Sequence, residues 1–166
     1  MVRARPILLL FLLSACSATG PSGPSEGGPP DAPEPRELGV EKISSGAPGQ
    51  GPQRPRVVLA PSAEALSGEL GAKIPGSGRG TYLVAYSGEK PTGGYSVNVT
   101  GARVEGDRVT VRFSLKGPPS DAIVTQALTY PYALAMLRDL ELRGKEFTFV
   151  SGDGGKLDWP VRRVEG

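Results

Sequence analysis

Apolar and polar residues alternate along much of the second half of the chain. The alternation is regular from Tyr95 to Thr100 and again from Arg108 to Lys116. A period of two predicts strands with one buried face and one solvated face. The segment Glu105-Gly106-Asp107 has the residues of a tight turn, so we expect Tyr95–Val104 and Arg108–Lys116 to form an antiparallel hairpin.

Shorter apolar runs predict further strands. These runs occupy Val57–Leu59, Tyr82–Tyr86, Ile123–Thr129 and Phe147–Val150. The segment Ala133–Arg138 could be a helix by composition, or a strand that is covered on both faces. We favour a strand, because the proline in Tyr130-Pro131-Tyr132 favours an extended chain at its start.

One short helix is expected directly after Pro61. Ser62 is a suitable N-cap, the helix would run to Leu70, and Gly71 would end it. The elements together predict a mainly β fold (β-rich α+β). Its expected architecture is a small antiparallel sandwich or open barrel with one short helix, preceded by a disordered tether.

The first residues have the layout of an export signal. Arg3 and Arg5 precede the apolar run Ile7–Leu13, which is too short to span a bilayer. The segment Leu13-Ser14-Ala15-Cys16 resembles the lipobox of bacterial lipoproteins, in which the cysteine carries lipid and becomes the new N-terminus. We therefore expect residues 1–15 to be a signal peptide and Cys16 to be the lipidation site.

A cysteine that carries several acyl chains, palmitate among them, anchors a protein stably to a membrane. We accordingly expect the mature protein to lie in the cell envelope. If the cell has an outer membrane, that is the expected location, since Ser17 after the cysteine is compatible with outer-membrane sorting.

Residues 16–55 are expected to form a disordered tether rich in proline and glycine. Of the 39 residues from 17 to 55, 17 are Pro or Gly and none is aromatic. Such a segment buries too little apolar surface to offset the entropy lost on ordering it. The folded domain is expected to span residues 56–166, which contain nine of the ten aromatic residues.

Composition excludes several classes of function. The chain has no histidine, and Cys16 is its only cysteine, which excludes imidazole or thiolate metal sites and histidine-based triads. Removal of residues 1–15 takes away two arginines and no acid, so the net charge of +2 falls to zero and nothing indicates nucleic-acid binding. We expect the folded part to lack both a Ser-x-x-Lys pair and a Gly-x-Ser-x-Gly nucleophile elbow, and therefore expect no enzyme. We also expect no metal and no cofactor.

The segment Gly88–Tyr95 combines the features of a rigid turn. Pro91 restricts one backbone angle, and Gly93 and Gly94 allow a positive φ or a close backbone approach. Tyr95 can pack its ring on the turn while its hydroxyl reaches a polar partner. The segment is either a tight connection between strands or a loop presented for recognition.

The sequence of this segment also resembles a known family. Lys90–Val97 reads Lys-Pro-Thr-Gly-Gly-Tyr-Ser-Val and resembles the hallmark of the C-terminal domain of the protease-complex-subunit family called PrcB. Gln126–Tyr132 resembles the second landmark of that family, a glutamine followed by a Thr-x-Pro-Tyr segment. The resemblance covers roughly residues 80–137. It implies an accessory subunit that supports the assembly or stability of a surface protease.

These observations lead to one main hypothesis and two alternatives. The main hypothesis is a membrane-anchored, non-enzymatic binding module whose partner is an envelope or secreted protein, in particular a protease. The alternatives are a structural envelope lipoprotein without a specific ligand, and a protease inhibitor, since the loop also resembles that of chagasin-like inhibitors. The candidate contact residues are Lys90, Pro91, Thr92, Gly93, Gly94 and Tyr95, with Tyr130 and Tyr132 as aromatic anchors.

Overall fold

The structure is a computed structural model, and it describes residues 34–76 and 78–166. Cys16 and the expected signal peptide, residues 1–15, lie outside the described residues. The described part contains one helix, α1 (Ala63–Leu70), and nine strands. The strands are β1 (Arg36–Leu38), β2 (Val40–Gly46), β3 (Arg56–Ala60), β4 (Gly80–Tyr86), β5 (Ser96–Glu105), β6 (Arg108–Lys116), β7 (Tyr132–Arg138), β8 (Glu146–Ser151) and β9 (Val161–Arg163).

The strands form two open sheets, which confirms the mainly β fold class. One sheet has four strands in the order β1-β5-β6-β8, and the other has five in the order β2-β7-β4-β3-β9. The predicted hairpin is present as the antiparallel pair β5–β6. The expectation of purely antiparallel sheets is wrong, because β8 runs parallel to β6 and β9 runs parallel to β3, so both sheets are mixed.

The main core lies between the two sheets. Val57, Leu83 and Leu137 from the five-stranded sheet and Val97 and Phe113 from the four-stranded sheet are all at most 1 % exposed. Alternate residues of each strand therefore face this core, as in other β-sandwiches.

A second core lies on the outer face of the five-stranded sheet, where α1 covers it. Leu66 of α1 packs in a cluster with Val58, Val84 and Met136 from the three central strands. Burial on both faces explains why Tyr82–Tyr86 and Ala133–Leu137 are continuous apolar runs without alternation. It also confirms the preference for a strand over a helix at Ala133–Arg138.

The helix has the predicted boundaries because its caps are built into the sequence. The Ser62 side chain accepts a hydrogen bond from the Ala65 amide at 3.1 Å. Gly71 has a φ of 64°, in the left-handed region that a C-terminal glycine adopts without steric cost.

The predicted tether of residues 16–55 is wrong for the segment 36–46. This segment forms β1 at the edge of the four-stranded sheet and β2 at the edge of the five-stranded sheet. Leu38 is only 6 % exposed and joins the main core, with Val40 packed against that core. Hydrogen bonding to β5 and β7 orders a stretch whose own apolar residues are too few to predict folding.

The predicted strand at Ile123–Thr129 is also wrong. The segment is an extended connection, and its one isolated bridge joins Thr129 to Lys90. Ile123 is fully exposed and Leu128 is 51 % exposed. A run of apolar residues predicted burial here, but no sheet edge lies beside most of the segment for it to pair with.

Strand directions place four connections at one end of the sandwich, which we call the loop end. These are the segments 47–55, 87–95, 117–131 and 152–160. The described chain begins at the opposite end, where Arg36 pairs with Val104 near the turn of the β5–β6 hairpin. We call this opposite end the hairpin end.

Candidate functional site

The motif loop, residues 87–95, is hydrogen-bonded to the long connection between β6 and β7. The amides and carbonyls of Lys90 and Thr129 bond reciprocally at 2.8 and 3.0 Å. The Gly93 amide donates to the Thr125 carbonyl at 2.9 Å, and the Thr129 hydroxyl donates to the Thr92 carbonyl at 2.8 Å. The two resemblance motifs, far apart in sequence, therefore form one structural unit.

The connection between β2 and β3 completes this unit from the other side. The Glu89 amide donates to the Gln53 carbonyl at 3.0 Å, and the Tyr130 amide donates to the Pro48 carbonyl at 2.9 Å. Gly51 lies directly against the Tyr130 side chain, where a Cβ would come within 2.5 Å of the tyrosine Cβ. Three connections thus hold one another in place at the loop end.

Most of the predicted contact residues lie on the motif loop. Pro91 and Gly94 are exposed, whereas Lys90, Thr92, Gly93 and Tyr95 are half-buried. The Thr92 hydroxyl donates to the Gly93 carbonyl at 3.1 Å, so its side chain supports the loop itself. Contact with a partner is therefore open mainly to the exposed tip and to the parts of Lys90 and Tyr95 that remain accessible.

The two predicted aromatic anchors lie in different surroundings. The Tyr130 hydroxyl donates to the Glu89 carboxylate at 2.7 Å, and this hydrogen bond raises the pKa of Tyr130 above its usual value. Tyr132 lies on β7, its ring centroid 6.4 Å from that of Tyr86 and its hydroxyl 3.0 Å from the Ser44 hydroxyl. Tyr130 belongs to the loop unit, whereas Tyr132 borders a groove of about 690 Å³ that α1 leaves uncovered.

A pocket of about 320 Å³ opens where the two sheets end beside the motif loop. We call it the mouth pocket. Trp159 forms part of its wall and stacks on the core residue Phe113, with ring centroids 5.4 Å apart. Its lining residues are Pro55, Ser87, Lys90, Tyr95, Ser96, Leu115, Lys116, Gly117 and Trp159.

Sequence reasoning identified Lys90 and Tyr95 but missed the rest of the mouth pocket. Trp159 is the only tryptophan of the chain and lies 64 residues after Tyr95. Its segment, residues 152–160, lies at the loop end because β8 runs parallel to β6 and β9 runs parallel to β3. Neither pairing follows from a local sequence pattern.

The expectation that the folded part lacks a Ser-Lys pair needs correction. Ser87-Gly88-Glu89-Lys90 has the spacing Ser-x-x-Lys, and both side chains line the mouth pocket. The Ser87 hydroxyl donates to the Pro131 carbonyl at 3.4 Å, while the Lys90 amino group lies over the Tyr95 ring, 5.8 Å from its centroid. A nucleophilic serine needs a hydrogen-bonded base, and this geometry does not join the two groups.

Large exposed apolar side chains are concentrated at the loop end. Among the described residues they are Leu115 (41 %), Ile123 (104 %), Leu128 (51 %) and Val161 (41 %). All four lie on, or next to, the connections that define this end. This end of the domain therefore offers apolar side chains that a partner protein could bury.

Two further observations concern ligands and membranes. Residues 34–76 and 78–166 contain no group of three or more acidic, histidine or cysteine side chains placed to hold a metal ion. In the same part of the chain, no helix has the length and apolar character needed to cross a membrane.

Comparison with known proteins identifies the segment that carries this site. No curated protein matches the chain, and no solved structure matches it. Residues 81–138 match the family model described as PrcB C-terminal, a segment that runs from β4 through the motif loop to the end of β7. The match suggests a module associated with a protease complex. Both resemblance motifs lie within this matched segment, so residues 81–138 are similar to the PrcB C-terminal family.

Proposed function

We propose that this protein is a lipid-anchored, non-enzymatic accessory subunit that binds and stabilises an envelope protease complex through its loop end. The observation that carries the proposal is the position of the family segment. Its motif loop lies at the same end as the exposed residues Ile123 and Leu128. A rigid loop beside solvent-exposed apolar side chains is suited to protein recognition.

The non-enzymatic part of the proposal draws support from the mouth pocket. Ser87 lines this pocket and precedes Lys90 with Ser-x-x-Lys spacing. Its hydroxyl donates to the Pro131 carbonyl, so its hydrogen-bond partner is not a base. Binding through preformed loops needs no such base, and the mutual hydrogen bonds of the three connections reduce the entropy lost on association.

The direction in which the chain enters the domain agrees with an anchor at Cys16. The described chain begins at the hairpin end, beside Val104, and the motif loop lies at the other end. If Cys16 holds the lipid, the proline- and glycine-rich residues that follow it join the domain at the hairpin end. The motif loop then lies at the end of the domain opposite to that attachment.

A crosslinking pull-down from the cell envelope tests the proposal. The bait is the tagged full-length protein, compared with the variant Ile123→Ser/Leu128→Ser. Both side chains are exposed, so the folded state should be retained while apolar contacts are lost. We expect wild type to retain an envelope protease specifically. The variant should recover at most about one fifth of the amount that wild type recovers.

The matched control is Arg103→Ser/Glu105→Ser, two exposed positions towards the hairpin end of β5. It should recover the partner as wild type does. Equal loss in both double variants would contradict an interface at the loop end. Failure of wild type to retain any specific partner would instead favour a structural envelope lipoprotein.

A further inference from the structure

The structure assigns a ligand chemistry to the mouth pocket: we propose that it binds a peptide carboxylate next to an apolar or aromatic side chain. The inference rests on the proposed function, since the carboxylate would belong to the partner protein. It goes further by naming the group that is recognised and the residues that recognise it. Lys90 and Lys116 would bind the carboxylate, and Tyr95 and Trp159 would contact the neighbouring side chain.

The charge of the pocket selects an anion. Two of its lining residues, Lys90 and Lys116, are cationic, and none is acidic. The described part of the chain forms four ion pairs, and neither lysine takes part in any of them. Two lysines that line one pocket and form no ion pair attract a negatively charged ligand group.

The acidic residues next to Lys90 and to Trp159 in sequence each have a polar partner. Glu89, next to Lys90, accepts the hydrogen bond of the Tyr130 hydroxyl at 2.7 Å. Asp158, next to Trp159, pairs with Lys156 at 3.1 Å. Neither of these two carboxylates forms an ion pair with Lys90 or Lys116.

The walls of the pocket determine which kind of side chain can bind next to the carboxylate. Trp159 is stacked on Phe113 and held by the core, and Tyr95 is held by its packing against Gly117. Leu115 is 41 % exposed and adds an aliphatic surface. These rigid rings favour a flat or apolar side chain, and a volume of about 320 Å³ limits the ligand to one or two peptide side chains.

Fluorescence of Trp159 gives a direct test, because it is the only tryptophan of the chain. The protein used is the full mature chain with Cys16→Ser, which needs no membrane. The probes are acetyl-Ala-Phe-Ala with a free C-terminal carboxylate, its C-terminal amide, and acetyl-Ala-Phe-Glu-amide beside acetyl-Ala-Phe-Gln-amide. The first pair tests a chain terminus as the source of the carboxylate, and the second pair tests an acidic side chain.

We expect a saturable fluorescence change with at least one carboxylate probe and an affinity about five- to tenfold lower for its neutral counterpart. The Lys90→Gln/Lys116→Gln variant should bind the carboxylate probe with an affinity lower by the same factor. Added salt should lower the affinity for the carboxylate probe and leave that for the neutral probe unchanged. Lys73→Gln, an exposed lysine on the connection after α1, is the control for a change of charge elsewhere.

Equal affinity for charged and neutral probes would overturn the proposal, and so would no saturable change up to several millimolar of any probe. Either result is separable from failure of the proposed function. The pull-down variant changes Ile123 and Leu128, which are not among the residues that line the mouth pocket. An interface at the loop end can therefore hold even if the pocket takes no carboxylate.

Discussion

At the scale of single residues, Gly93 and Gly94 show how differently two neighbours in one motif are constrained. Gly94 has a φ of 85°, and a Cβ there would come within 2.8 Å of the Pro118 Cβ. At Gly93 the nearest atom is 3.6 Å away, an ordinary contact. We expect Gly94→Ala to lower the free energy of unfolding by about 1–2 kcal/mol or more, from backbone strain alone.

Urea unfolding of Gly94→Ala beside Gly93→Ala measures this difference. Gly93→Ala should change stability by less than about 1 kcal/mol and could raise it, since alanine restricts the unfolded chain. Equal losses in the two variants would contradict the positive φ as the reason for the second glycine of the motif.

At the scale of elements, the two N-terminal strands decide where the folded domain begins. Leu38 of β1 is buried in the main core, whereas its neighbour Glu37 is exposed. We expect Leu38→Ala to destabilise the domain by about 2 kcal/mol or more, because it removes buried methyl groups and leaves a cavity. Chemical unfolding of the full mature chain checks this value.

Glu37→Ala serves as the control on the same strand, with an expected effect within about 0.5 kcal/mol. A disordered tether would make both substitutions neutral. The comparison therefore separates a strand that belongs to the core from a segment that merely precedes it.

At the scale of the whole molecule, the expected anchor at Cys16 can be tested separately from the proposed recognition end. We expect the wild-type protein to fractionate with membranes and Cys16→Ser to be released from them, because acyl chains on the cysteine thiol supply the affinity. Ser17→Ala is the matched control and should stay in the membrane fraction. Mass spectrometry of the N-terminal peptide would contradict the prediction if Cys16 carried no lipid.

Much of the fold was predictable because its signals are local. The β5–β6 hairpin follows from strict alternation on both sides of a Glu-Gly-Asp turn, and α1 follows from Ser62 and Gly71 as its caps. The tight backbone of Lys90–Tyr95 was also predictable, since Pro91 and the pair Gly93-Gly94 favour a turn, and Gly94 has a positive φ. Each of these features is formed by residues that lie close together in the sequence.

The remaining features were decided by tertiary structure. Residues 36–46 are strands because the edges of β5 and β7 offer them hydrogen bonds, and nothing in their own composition shows that those edges are free. Ile123 and Leu128 look like core residues in sequence and are exposed because no strand edge receives them. The mouth pocket joins Lys90, Lys116 and Trp159 because two parallel pairings, β8 with β6 and β9 with β3, bring the segment that contains Trp159 to the loop end. Local sequence thus determined the turns, the helix caps and the alternating strands. Contacts between distant segments determined the edge strands and the candidate site, because the free energy of such a contact depends on which other segment of the chain lies beside it.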